Sequence, residues 1–406
     1  MPESSPSAHK TDKHRLWLLR SIFLSALAIY GGTWLGYYLF SRGLDPVSGT
    51  IAKALINWDA KWYVDIATHG YSYIPHADFG QNIIFFPLYP ALCKGLSFIL
   101  PFNIPAIGIG LALFFGLLSV LLFQRLAKDW LKPDSAAFAT LSYALYPAAA
   151  FFISVYPTSL MNCLAIATLI ALRQQRPFQA AFWAGIGTAS GPLMVFFAFG
   201  IWLVLLGRVW ADRQNLVLIS LFKGLSLGII ACSGLGVFMA YQWYLFQTPF
   251  AFVVAHGPYI GHLSPLDKLR NIVELFPLWG GDYTPLVHAL LLEPTVLSPA
   301  RSVYFFMNAL ILLGNFFALG ILWWKRQWAL LVISIPLVFA YLWFQGAAQG
   351  PVSTYRLLYV NLPLFLAAGW IYQSSVRKTW VLPFLGAEMA ALVLQAAFFI
   401  SGHWAF

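Results

Sequence analysis

The chain has 406 residues, of which 60% are hydrophobic and only 9% charged, with a mean hydropathy of +0.74 and a formal net charge of +10. No soluble fold of this length can hide so much apolar surface, so the composition excludes a water-soluble globular protein and defines a polytopic membrane protein. The three cysteines, Cys93, Cys163 and Cys232, lie apart in apolar runs and carry neither a zinc spacing nor a disulfide framework.

In chain order, the first apolar run, Leu16 to Phe40, is longer than a signal-peptide core and lacks a small-residue cleavage site. It is expected to be the first transmembrane helix, after a cytoplasmic segment 1–16. Further apolar runs fall at 83–99, 106–124, 136–153, 157–172, 178–206, 217–245, 303–324, 328–344, 357–373 and 379–400. They imply an all-α bundle of about ten spans in a single membrane domain. Residues 41–105 form a first extracytoplasmic loop with juxtamembrane helices, and 246–302 a long late one.

Orientation follows from the basic residues. One face collects Lys10, Lys13, Arg15, Arg20, Arg125, Lys128, Lys132, Arg173, Arg176, Arg208, Arg213, Lys223, Lys325, Arg326, Arg377 and Lys378, sixteen of the twenty-four, and is read as cytoplasmic. The positive charge then reflects orientation and lipid contact, not nucleic-acid binding. This parity requires that 83–99, broken by prolines and Lys94, does not cross. It also requires that 178–206 turns back at Ser190-Gly191-Pro192 as two half-depth helices, which lipid tolerates only where the freed backbone faces protein or a cavity. The competing parity has 83–99 crossing and 178–206 as one long span, at the expense of placing Arg125, Lys128, Lys132, Arg173 and Arg176 outside.

Acids are scarcer, and eight of the fourteen lie in the two outer loops: Asp45, Asp59, Asp65 and Asp78, then Asp267, Glu274, Asp282 and Glu293. Within NWDAKWYVDIATHGYSY, Asn57 to Tyr73, helical spacing puts Asp59, Trp62, Tyr63 and Ile66 on one face. Lys61 and Asp65, four apart, are expected to form a solvated ion pair. Such an aromatic helix fits the headgroup level. Asp59 is then either a carboxylate held at the lipid boundary or a helix N-cap, and spacing does not separate the two.

WDAKWYVDIATHGY (from Trp58), followed by NIIFFPLYPAL (from Asn82), resembles the signature of the PIG-V-type mannosyltransferases and their bacterial relatives. Later pieces agree in order: VYPTSLMNCLAIATLIAL, AGIGTASGPLMVFFAF, YQWYLFQTPFAFVVAH and YRLLYVNLPLFLAAG, so that the resemblance runs from Trp58 to Gly369. It implies a GT-C-class membrane glycosyltransferase. The donor would be a polyprenyl- or dolichyl-phosphate sugar, and the acceptor a glycolipid or lipid-anchored glycan at the extracytoplasmic face. Neither a cofactor nor a metal is expected. The family's catalytic aspartate lies in the first extracytoplasmic loop, and Asp59 is the residue that matches.

A general base and a phosphate-binding cation are the parts such a reaction needs. Arg356, in STYRLLY, is the candidate for the phosphate because guanidinium binds it bidentately; its alternative is an interfacial anchor. Trp58, Tyr63, Phe86, Tyr89, Tyr156 and His256 complete the candidates for substrate contact, although Phe85, Phe86, Pro87, Tyr89 and Pro90 equally suit packing beside a proline break. His256 and His262 straddle GPYIG, and two histidines without a third ligand do not make a metal site.

Two departures stand out. The family's Y-T-E-S reads YPTS here, Tyr156 to Ser159, and its T-R-P reads SGP, Ser190 to Pro192. One acid and one base are missing together, which is what removing a buried pair would look like: either the pair is structural, or this branch handles a different substrate, or activity has been lost. Outside the enzyme class, a transporter or lipid translocator would rely on Glu388, the single acid deep in an apolar run, and a non-catalytic lipid-binding subunit would need neither Asp59 nor Glu388.

Overall fold

The computed structural model describes residues 6–41, 54–211, 217–256, 263–281, 283 and 299–401, and every regular element among them is a helix. The first, α1 (Pro6–Ser41), contains the apolar stretch Leu16–Tyr38, long enough to cross a bilayer. Next come α2 (Asp59–His69) and α3 (Leu88–Ser97), linked through a 3-10 turn at Asn82–Ile84. Ten residues of α3 rise about 15 Å, half a hydrocarbon core, so the run 83–99 does not cross. The long α4 (Ile104–Lys128) starts on Asn103, whose side chain accepts the Ala106 amide at 3.0 Å.

Two runs read as single spans are bent. Helix α5 (Pro133–Leu145) turns by 65° into a 3-10 segment, Pro147–Ile153, where Pro147 has no amide with which to continue the ladder. After α6 (Thr158–Arg173), α7 (Pro177–Gly187) and α8 (Pro192–Ala211), the next run bends by 60° between α9 (Val217–Ala231) and α10 (Ser233–Phe246). At that bend Gly234 lies against the Gly185 carbonyl so closely that a Cβ would overlap it. The Leu235 amide donates to Thr188 Oγ1 at 2.9 Å, so the break leaves this amide satisfied.

The pair α7 and α8 corrects the expectation of two half-depth helices. Only α7, at 11 residues or about 16 Å, is short; α8 has 20 residues and reaches about 30 Å. The chain does reverse between them. Arg208, near the end of α8, donates to the Leu172 carbonyl (3.0 Å) and to Gln175 Oε1 (3.1 Å), beside the start of α7. The guanidinium thus ties the end of α8 to the carbonyl and side-chain oxygens where α6 stops. This reversal and the short α3 are at odds with 178–206 as one long span and 83–99 as a crossing helix.

From the late loop come α11 (Ala251–Val254), α12 (Pro265–Val273) and α13 (Phe276–Trp279). Then α14 (Pro299–Trp324) is followed by α15 (Trp328–Tyr341), which continues through a π-turn at Leu342–Gly346 into α16 (Ala347–Gln349). A single turn, α17 (Thr354–Leu357), precedes α18 (Pro363–Ser374) and α19 (Val381–Ile400). Six helices are long and apolar enough to cross, or eight if each bent pair counts as one span. The shorter α6, α7 and α18 pack among them, so the figure of about ten depends on how these are counted.

Helices α1 and α19 pack in parallel: Gly32 lies against Val393 and Gly36 against Ala397, both so close that a Cβ would overlap backbone. The basic residues meet at the end where α19 begins. Arg173 donates to the Asp129 carbonyl (3.2 Å) and covers the Trp130 ring, while the Lys132 amide reaches Gln373 and Lys325 reaches Ser374. Helices α2 and α3 sit at the opposite end. There Asn57 Nδ2 donates to the Phe399 carbonyl (3.1 Å) and the Leu88 amide to the Ala189 carbonyl (2.9 Å).

Candidate active site

Asp59 is the first residue of α2. Trp58 takes the N-cap position, its side chain makes no capping hydrogen bond, and the Asp59 carboxylate is not used for capping. It turns across the bundle instead, where Arg356 Nη1 lies 2.5 Å from its Oδ2. The side chains are 28% and 17% exposed, so the pair sits at a rim rather than in the core or in open water.

Backbone strain presents both partners. Trp58 has φ 59° and ψ −125°, and Ser353, three residues before Arg356, has φ 56° and ψ 15°. Non-glycine residues seldom adopt such angles unless their surroundings enforce them. Around Trp58 the enforcement is visible. The Asp59 amide donates to the Tyr156 hydroxyl (3.1 Å), Ser154 Oγ donates to the Leu55 carbonyl (2.6 Å), and Asn57 is tied to α19 as above.

Charge and burial work together here. Burial opposes the Arg356 charge, but the Asp59 carboxylate outweighs it and holds the guanidinium protonated even more firmly than usual. Burial raises the phenol pKa of Tyr63 and Tyr156, and the Asp59 charge raises it further against the opposing pull of Arg356, so both remain neutral hydroxyls. The guanidinium carbon also lies 5.5 Å from the Tyr156 ring centre and 5.9 Å from that of Phe151.

The predicted residues divide into two groups. Asp59, Arg356, Trp58, Tyr63 and Tyr156 come together. Of these Trp58 is exposed, whereas Tyr156 is 1% exposed with its hydroxyl engaged by backbone. Tyr89 is buried between α3 and α4: its ring meets Tyr63 edge-on at 5.8 Å and its hydroxyl donates to the Gly108 carbonyl. Phe86 belongs to a neighbouring aromatic cluster, 5.2 Å from Phe238 and 5.7 Å from Phe252. His256 joins it through the Phe252 carbonyl (2.8 Å); burial lowers its pKa, and that hydrogen bond opposes the shift. Asn57, Phe151 and Ser154 were not anticipated, because they act through backbone or ring contacts rather than through a motif.

The Lys61–Asp65 pair does not form. Asp65 instead bonds His69 Nδ1 (2.9 Å) and Asn82 Nδ2 (2.8 Å), and Asn82 also bonds the Gly70 carbonyl and the Ser72 amide. It thus pins the loop 70–82 onto α2. A Cβ at Gly191 would stand 3.0 Å from Met161 Sδ, on the same helix as Thr158. Among the described residues no three His, Cys, Asp or Glu side chains are grouped as metal ligands. Asp45, Asp282, Glu293 and His262 lie outside the described residues.

Helices of membrane-crossing length, bent pairs and a rim-level Asp–Arg pair define a multi-pass membrane protein with a polar site at one end of its bundle. The profile of the mannosyltransferase (PIG-V) family matches residues 40–258, more than half of the chain, and the chain belongs to that family. Asp59 lies within the matched stretch, and Arg356 beyond it. No curated protein matches the sequence. Similar solved structures include the oligosaccharyltransferase of Archaeoglobus fulgidus. Its apo form has 13% identity and a TM-score of 0.49, over 97% of this chain and 56% of that one. Its zinc and sulfate complex has 15% identity and a TM-score of 0.48, over 95% and 53%. The chain thus spans about half the length of those proteins.

Proposed function

We propose that the protein is a membrane glycosyltransferase moving a hexose, mannose by the name of its family, from a polyprenyl- or dolichyl-phosphate sugar to a glycolipid or lipid-anchored glycan. The observation that carries this reading is the Asp59–Arg356 pair. Two residues 297 positions apart join at the end of the bundle opposite the basic cluster. By the positive-inside rule that end is extracytoplasmic.

The chemistry follows from the pair. Arg356 holds the donor phosphate with its guanidinium fork and stabilises the charge that grows on the leaving oxygen. While Arg356 Nη1 engages Asp59 Oδ2, no hydrogen bond among the described residues occupies Oδ1, which is the atom to accept the proton of the attacking hydroxyl. As the phosphate draws the guanidinium towards itself, the carboxylate loses its counter-charge and becomes the better base. One base facing one leaving phosphate makes a single displacement, with inversion at the anomeric carbon.

The test is incubation of the purified protein with radiolabelled lipid-phosphate hexoses and total membrane lipid, scored for new labelled glycolipid. Failure to transfer label from any such donor would sink the proposal. One observation favours the translocator reading: Glu388 Oε1 accepts from Ser142 (2.7 Å) inside the bundle, while its Oε2 is buried without a hydrogen-bond partner among the described residues.

A further inference from the structure

We propose that Tyr304 is a positioning residue for Arg356, acting through the Ser353 turn; this rests on Arg356 holding the donor phosphate. Tyr304 lies on α14, beyond the stretch that the family profile matches, and is 2% exposed, so it does not touch substrate.

Its hydroxyl accepts the Ser353 amide at 2.8 Å. Ser353 is itself buried and holds φ 56°, where glycine is the usual occupant. Without that hydroxyl the turn would keep its strained backbone and gain a buried amide with no acceptor. One helical turn along α14, Asn308 donates to the Tyr304 carbonyl (2.9 Å) and accepts the Tyr355 amide through Oδ1 (3.3 Å). Helix α14 therefore offers two acceptors, four residues apart, to two amides of the turn, and these fix the direction in which Arg356 leaves it.

The other sides are closed as well. The Tyr341 hydroxyl bonds Thr354 Oγ1 (2.6 Å), and Gln395 Nε2 donates to the Tyr355 hydroxyl (2.7 Å). The Asp59 side has the same construction, with Tyr156 accepting the amide that follows the strained Trp58. Each member of the pair is aimed by a strained turn that a buried tyrosine hydroxyl holds. Bidentate recognition of phosphate depends on the plane of the guanidinium, so loosening its turn weakens donor binding before it slows the chemical step.

The experiment measures donor KM and kcat for Tyr304→Phe, Arg356→Ala and Tyr359→Phe. In Tyr359→Phe the hydroxyl lost is the one that donates to the Tyr143 carbonyl on α5, a bond that does not hold the Ser353 turn. Tyr304→Phe should raise donor KM about tenfold with kcat within about twofold, and Tyr359→Phe should leave both unchanged. Adding Ser353→Gly to Tyr304→Phe should recover most of the KM, because glycine holds φ 56° without strain. A raised KM in Arg356→Ala with a normal KM in Tyr304→Phe overturns the positioning role alone. Equal rises in Tyr304→Phe and Tyr359→Phe also overturn it, because the effect would then be general loosening. A normal KM in Arg356→Ala overturns the phosphate reading and the positioning role with it.

Discussion

Asp59→Asn separates a base from a structural carboxylate, and the magnitudes differ enough to decide the matter. The substituted side chain keeps its size, and its amide oxygen still accepts from Arg356, so a charged pair becomes a charge-assisted hydrogen bond. A pair of charges about 4 Å apart at a protein surface attracts by about 4 kcal/mol. Exposure of 28% and 17%, together with the bond that survives, reduces the net stability loss to about 1–2 kcal/mol. In a 406-residue chain that lowers Tm by a few degrees at most, so the variant stays folded at 25 °C. Loss of a general base, by contrast, lowers the rate by about 100- to 10,000-fold, about 3–5 kcal/mol in the barrier. Initial rates of label transfer, normalised to the monodisperse protein recovered by gel filtration, should therefore fall at least about 100-fold. Asp65→Asn alters only the contacts to His69 and Asn82, and should retain activity at a stability loss under about 1 kcal/mol. An Asp59→Asn protein that turns over like wild type, or an inactive Asp65→Asn, refutes the reasoning.

Arg356→Lys keeps the charge but loses the fork, so donor KM should rise about tenfold, read from saturation with lipid-phosphate sugar. His256 titrates below its ordinary 6.5 because burial disfavours its charge. Its contribution to stability is therefore complete above that pH and is lost as pH falls towards the folded value; His256→Gln should flatten this slope in melting curves recorded from pH 7 to 5. Glu388→Gln keeps a carbonyl oxygen for Ser142 and should leave sugar transfer within about twofold of wild type. An abolished transfer there would place Glu388 in the transferase machinery and overturn this expectation. A cysteine placed at Asp78 should react with an impermeant maleimide added outside intact cells, and one at Arg173 should not; the reverse pattern would invert the assigned topology.

Run lengths and proline placement made most of the helices legible. Pro87 and Pro90 marked α3 as short, and Ser190-Gly191-Pro192 marked a reversal. What could not be read was how α8 lies against α6, because Arg208 reaches the Leu172 carbonyl, a contact between residues 36 apart. The bend at Cys232 falls on Ser233-Gly234, a weak breaker that the long apolar run masked, and there Gly234 closely approaches the Gly185 carbonyl. Helical spacing offered Lys61 to Asp65, but Asn82, seventeen residues on, competed for that carboxylate. The Asp59–Arg356 pairing was beyond any local pattern. Each residue was singled out for its own chemistry, and only the fold joins them.

The clasp between α1 and α19 sets an order of events during synthesis. The Asn57 side chain that steadies the Asp59 turn bonds a carbonyl 342 residues later, and Arg356 is made almost 300 residues after Asp59. At about 5–20 residues per second, the Asp59 turn waits about a quarter of a minute to a minute in the bilayer for its partners. During that interval α1 exposes Gly32 and Gly36, a small-residue surface shaped for a helix that has yet to be inserted. The Asp59–Arg356 pair is thus among the last parts of the protein to form, and an interrupted chain inserts most of the bundle without acquiring it.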